Sequence, residues 1–279
     1  EFFPYLSEKP LPHNVFNMFV GYPIKSYKPK MKLSYTDSHL YKHVNEQLCA
    51  GDQTNVNFVN AWIAQLIQAP ADVPGTSLLF YSQQGNGKDL FAKFISRIIG
   101  SEYSGIYDNP DMFFSNFNSD MSGMLFCVLN EVCDKGAAYA KHNLLKSYIT
   151  REEAKIEPKG KDKFKASVYC RYALFTNNAN PVFIENSDRR FAMFRCKNDY
   201  AQNEKYFKAI VDEISNPDFI RAAFEYYSTL DYSNVNLRTA PENAYKLEQK
   251  VSNMPGPLRF VKELYDDEID LTECGGVAR

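Results

Sequence analysis

The apolar residues change their spacing twice along the chain. From Asp37 to Pro70 they recur at helical intervals. Leu40, His43, Val44 and Leu48 share one stripe, and Phe58, Val59, Trp62, Ile63, Leu66 and Ile67 share another, which predicts a second helix over about 55–68. Pro70 and Pro74 close this region and introduce a strand. From 77 to 196 the helical period gives way to short continuous apolar runs: Ser77–Tyr81, Met124–Leu129, Tyr172–Thr176 and Phe191–Phe194. Between them the pattern predicts helices over Asp89–Ile99, stopped by Gly100, and over Ala137–Ile149. Buried strands alternating with helices predict an α/β fold with a mostly parallel central sheet flanked by helices. Beyond about 202 the helical period returns, and the last twenty residues are acidic and read as a frayed tail. Residues 1–35, rich in Pro and aromatics with the basic run KSYKPKMK, read as an extended lead-in. The expected organisation is a lead-in and helical segment over 1–74, a core over 75–200, and a C-terminal helical segment with an acidic tail over 201–279.

Composition bounds this picture without redirecting it. At 44% hydrophobic and 24% charged, the chain is ordinary for a globular protein. The 32 basic residues are balanced by 34 acidic ones, for a net charge of −2, so any nucleic-acid contact must rest on locally concentrated charge. None of the six cysteines forms a CxxC pair, and Cys127, Cys133, Cys170 and Cys196 sit in or beside apolar runs; they read as core thiols of a reducing compartment rather than a zinc framework. There is no long apolar span and no signal-peptide pattern, so neither a membrane segment nor secretion is expected. The chain starts without Met and reads as a piece of a larger protein.

The chemistry gathers at strand ends. Ser82-Gln83-Gln84-Gly85-Asn86-Gly87-Lys88-Asp89 follows the first strand and opens a helix, the context of a phosphate-binding loop. Gly85 and Gly87 let backbone N–H groups turn inward around a phosphate chain, the helix N-terminus adds partial positive charge, and Lys88 reaches toward the outer phosphates. Two positions depart from the usual motif: Ser82 stands where the first Gly is expected, and Asp89 where a Ser or Thr follows the Lys. The strand ending at Leu129 delivers Asn130-Glu131, where a carboxylate polarises an attacking water beside a Mg²⁺ shell. Thr176-Asn177-Asn178 ends another strand with an amide able to position that water. Asp188-Arg189-Arg190 precedes the last strand and offers charge to a transferring phosphoryl group.

In this order and interleaving, the constellation resembles the superfamily 3 helicases of viruses, phages and plasmids, a branch of the AAA+ ATPases, and among them the helicase part of poxvirus-like and phage-like primase-helicases. The resemblance covers about 75–197, and Phe16 through Gly21 and the helix around Trp62 look like the region upstream of that domain. It implies an AAA+-type P-loop ATPase with Lys88 as Walker A lysine, Gly85, Asn86, Gly87, Lys88 and Asp89 around ATP, and Glu131 as Walker B glutamate. Asn177 would be the sensor and Arg189 or Arg190 the arginine finger of a neighbouring subunit. Asp89, Asn130 and Glu131 would face Mg²⁺. The resemblance also implies a ring of the hexameric kind that moves on single-stranded or forked DNA inside a host cell, with a primase module upstream.

The two departures suggest a compensation. A carboxylate at Asp89 and an amide at Asn130 leave the negative charge near the metal unchanged, so Asp89 would carry the metal-facing charge. A helix-terminal acid favoured by the dipole is the alternative. Between the Ala137–Ile149 helix and the third strand, residues 155–165 hold five Lys against two acids, and Lys159-Gly160-Lys161-Asp162 reads as a hairpin tip. Superfamily 3 helicases carry a channel hairpin at this point, which would make Lys159, Lys161 and Lys163 the nucleic-acid contacts, with Lys146 and Arg151 flanking. His43 and His142 read as structural. An RNA helicase, a kinase-like P-loop NTPase and a hydrolysis-impaired assembly module remain as alternatives, the last favoured by Ser82, Asp89 and Asn130.

Overall fold

The computed structural model describes residues 1–6, 13–109, 122–130, 138–156 and 162–265. A short helix α1 (His39–Lys42), capped by the Ser38 hydroxyl, continues as a π-helical turn over His43–Leu48. Then come α2 (Gln53–Gln68), whose N-terminus is capped by Asp52 accepting from Asn55 N at 2.9 Å, β1 (Ser77–Tyr81), α3 (Lys88–Ile99) and β2 (Ser104–Tyr107). The chain goes on through β3 (Phe126–Asn130), α4 (Ala138–Ile149), the antiparallel pair β4 (Glu153–Ile156) and β5 (Phe164–Ser167), β6 (Arg171–Thr176) and β7 (Phe191–Arg195). It closes with α5 (Glu204–Ser215), α6 (Pro217–Thr229), α7 (Ala244–Ser252) and α8 (Gly256–Tyr265).

The main sheet runs in the order β2-β3-β6-β1-β7, and every pairing in it is parallel. Strand side chains alternate between faces, so consecutive residues feed two separate cores. Leu78, Phe80, Val128, Phe175 and Phe194 pack beneath α2, α3, α5 and α6, together with Phe2, Phe19 and Tyr22 of the lead-in. Leu79, Leu129, Leu174 and Met193 pack on the other face against Leu145, Tyr148 and Ile149 of α4 and Tyr245 of α7. Covering both faces is why these strands read as unbroken apolar runs.

Two expectations are corrected here. β2 was not anticipated: SGIY is short, sits at the sheet edge and leaves Ile106 exposed, so its apolar signal is weak. The C-terminal segment is not helical throughout. Residues 230–243 are irregular, pinned where Thr76 Oγ1 donates to Leu237 O at 2.8 Å and Ala240 N donates to Arg189 O at 2.8 Å. The acidic tail, Cys133 and Cys274 lie outside the described residues.

Buried Arg171 ties β6 to the end of α2. Its guanidinium donates to the carbonyls of Ala69, the C-cap of α2, at 3.1 Å, and of Pro70 at 3.0 Å and Asp72 at 2.9 Å in the turn that follows the helix. No helix among the described residues is long and apolar enough to cross a membrane.

Candidate nucleotide site

The carboxyl ends of β1, β3 and β6 open into a cleft of about 270 Å³, the end of an α/β sheet where ligands bind. One wall is the turn from β1 into α3. Gly85 and Gly87 take φ of +78° and +74°, conformations only glycine adopts without strain, and Gly87 is the N-cap of α3. Space also demands glycine at 87, because a Cβ there would meet Phe207 Cε1 at 2.6 Å and His43 Nε2 at 3.0 Å. The loop is held from behind by the segment before α5. Gln83 N donates to Asn198 Oδ1 at 3.1 Å, and Gln202 N donates to Gly85 O at 3.0 Å.

Lys88 reaches across this turn. Its ammonium donates to Ser82 Oγ at 2.5 Å and to Asn177 Oδ1 at 2.8 Å. The serine that replaces the usual first glycine therefore meets the lysine directly. Asn86 lines the cleft as well; it is 2% exposed, and neither side-chain amide atom has a hydrogen-bond partner among the described residues. Asp89, in the first turn of α3, borders the same space.

The opposite wall holds a residue that sequence reading missed. Asp108 follows β2, and Asn130 ends β3, its parallel neighbour. Asn130 Nδ2 donates to Asp108 Oδ1 at 2.8 Å, and both line the cleft. Finding Asp108 required finding β2 first. Glu131 lies outside the described residues.

His43 is structural, as expected, yet it is placed at the loop. Fully buried, it offers Nδ1 to Tyr206 Oη at 3.1 Å and packs on the Phe207 ring. Burial pushes its pKa down to about 4, opposed by a hydrogen bond with the Asn86 backbone. The side chain of His142 lies outside the described residues. Cys49, Cys127, Cys170 and Cys196 are buried free thiols, and burial pushes Cys196 up to about 12 even though the Lys88 charge works against it.

Arg189 and Arg190 are not brought to this cleft. They precede β7, whose parallel partner β1 runs toward the phosphate loop, so five residues of strand separate them from it, about 15 Å. Arg189 is exposed and borders a second cavity of about 550 Å³ with Gly75, Thr150, Arg151 and Arg238. The turn that presents it is fixed by buried Asp188, whose Oδ1 accepts from Arg190 N at 2.9 Å and Phe191 N at 3.1 Å.

The lysine-rich segment has hairpin arms. β4 and β5 pair with Ala154 opposite Ala166 and Lys155 opposite Lys165, so alanines share one face of the ribbon and lysines the other. The tip, with Lys159 and Lys161, lies outside the described residues; Lys163 is exposed. Lys165 pairs with Glu153. Lys146 does not flank the ribbon as a free charge: it is buried and paired with Glu185 at 3.1 Å. Arg151 lies over the Tyr148 ring, 4.2 Å from its centroid.

Comparison with known proteins follows the same outline. Residues 80–190 match the model of a family of unknown function, DUF5906. Over 202 residues the chain is 26% identical to the DNA primase-polymerase of Nitratiruptor phage NrS-1, a match covering 72% of this chain and 27% of that protein. The apo structure of the NrS-1 C-terminal region superimposes with a TM-score of 0.77 at 23% identity, over 94% of this chain and 62% of that one. An A-form apo structure of the same region gives 0.76 at 22% identity, over 95% and 63%. The chain thus spans about a quarter of the length of the curated relative, and the solved structures share its fold.

Proposed function

We propose that this chain is the ATP-driven motor of a phage or viral DNA-replication protein, a superfamily 3 helicase of the AAA+ P-loop class that moves on single-stranded DNA as a ring. The observation that carries the reading is the convergence of Lys88, Ser82 and Asn177 at the carboxyl ends of β1 and β6, on a parallel sheet in which β1 lies between β6 and β7. Similarity to a phage primase-polymerase supports the replication setting.

In this reading the loop amides and the N-terminus of α3 hold the phosphates of ATP, and Lys88 exchanges its contacts with Ser82 and Asn177 for phosphate oxygens. Asn177 and Glu131 orient and polarise the attacking water. Arg189 or Arg190, at the far end of the sheet, acts on the site of a neighbouring subunit, which makes the ring a requirement of the chemistry. The cleft fits Mg²⁺ through its donor set: Asp89, Asp108 and Asn130 are hard oxygen ligands, and Asn130 Oδ1 is buried without a partner among the described residues. No three His, Cys, Asp or Glu side chains form a metal cluster among the described residues, which suits an ion held largely by phosphate and water. Bound there, Mg²⁺ would neutralise phosphate charge.

The decisive measurement is ATP hydrolysis with and without single-stranded DNA. DNA-stimulated turnover that disappears in Lys88→Ala is expected. Turnover indifferent to DNA would indicate a kinase-like or other NTPase. Nucleotide binding without turnover would indicate an assembly module, the alternative that the departures at Ser82, Asp89 and Asn130 favour.

A further inference from the structure

The strand that ends at Asn130 lacks the carboxylate that usually supports a metal's water shell at that point, and the neighbouring strand supplies one. β2 and β3 pair in parallel with Tyr107 opposite Leu129, so the next residues, Asp108 and Asn130, leave the sheet side by side. Their side chains meet at 2.8 Å through Asn130 Nδ2 and Asp108 Oδ1. This contact uses one N–H of the Asn130 amide and leaves its buried Oδ1 unpartnered among the described residues, on the border of the cleft that Lys88 enters. A second buried amide on the same cleft, Asn86, is likewise unpartnered. Unmatched buried polar atoms are costly unless water or a ligand completes them.

Resting on the nucleotide-site reading above, the geometry points to Asp108 and Asn130 as a two-strand unit that holds the water shell of a divalent cation bound with the nucleotide. Asp108 provides the negative charge, and Asn130 provides an oxygen and orients the carboxylate. In this arrangement the missing aspartate of β3 is replaced from β2, and Asp89 on α3 is not needed to restore the charge. Outer-shell groups of this kind commonly change metal affinity by about 10–100-fold.

The test is Mn²⁺ titration, followed by electron paramagnetic resonance, of the protein loaded with a non-hydrolysable ATP analogue. A parallel measurement takes analogue affinity in EDTA. Asp108→Asn is expected to weaken Mn²⁺ binding about 10–100-fold and leave the metal-free analogue affinity unchanged. The swap Asp108→Asn with Asn130→Asp, which keeps the charge and the pair, is expected to restore Mn²⁺ affinity. Unchanged Mn²⁺ affinity in Asp108→Asn overturns the assignment. So does failure of the swap to restore it. If the wild-type protein binds no analogue in EDTA or with Mn²⁺, the nucleotide reading itself falls, which is a different result from analogue binding that is indifferent to Asp108.

Discussion

The Lys88 ammonium and the Asn177 amide oxygen meet at 2.8 Å across the mouth of the cleft. Asn177 follows β6, whose Thr176 is the register partner of Tyr81 at the end of β1, and Lys88 opens α3 after the turn that leaves β1, so sheet and turn together set the contact. A phosphate entering the cleft competes for both groups at once. In Asn177→Ala, Lys88 keeps Ser82 as a neutral partner, so nucleotide affinity is expected to fall little while turnover falls about 100-fold, the usual scale for removing one pre-positioned polar group. Steady-state hydrolysis resolves this as a loss in kcat with KM nearly unchanged. An equal rise in KM would mean that Asn177 acts in binding.

Gly87 is constrained twice, by its φ of +74° and by the Phe207 ring behind it. Gly87→Ala therefore carries backbone strain of about 1–2 kcal/mol and also forces the ring or the loop to move. Expected are a lower thermal midpoint and weaker nucleotide binding. Adding Phe207→Ala relieves the closest collision but neither the 3.0 Å approach to His43 nor the strain, so it should recover part of the nucleotide affinity. Full affinity in Gly87→Ala alone would show that the loop relaxes freely away from α5.

His43 makes the underside of the loop sensitive to acid. Folded, its pKa is about 4; unfolded, it returns to about 6.5. Between those values the unfolded chain binds the extra proton, so stability is full above pH 6.5 and falls as pH drops. The slope is about 1.4 kcal/mol per pH unit, for a total loss of up to about 3 kcal/mol near pH 4. His43→Gln cannot take up this proton, and its denaturant midpoint should change less over that window. Parallel curves for the two proteins would remove His43 as the source.

Much of this was legible because the chemistry sits where the hydrophobic pattern is strongest. β1, β3 and β6 are buried on both faces, so their ends, and with them Asn130 and Asn177, could be located from apolar runs, and Lys88 from the glycine-containing turn that follows β1. Asp108 was not legible, because its strand is four residues long and half exposed at the sheet edge. The role of His43 was hidden for another reason: it depends on a contact with Tyr206 and Phe207, more than 160 residues away, which no local period encodes. Arg171 reads as an ordinary polar start to a strand, and only the tertiary approach of the α2 end makes it a buried clasp.

The hairpin supplies the last prediction. Lys155 and Lys165 face each other directly across β4 and β5, a like-charge pair that costs stability unless something negative relieves it. Glu153 pairs with Lys165 at the base of the ribbon, and the sequence between the two arms adds Lys159, Lys161 and Lys163, in a chain whose net charge is −2. Phosphate contact through such lysines releases counterions, about 0.7 per charge on single-stranded nucleic acid. In Lys159→Ala with Lys161→Ala, the slope of log affinity against log salt should flatten by about 1.4, affinity for single-stranded DNA should fall, and basal ATP turnover should remain, because the ribbon leads into the start of β6 and the cleft lies at its far end. Filter binding across a salt series reads the slope directly. An unchanged slope would mean that these lysines protect the exposed edges of the ribbon instead of touching a backbone.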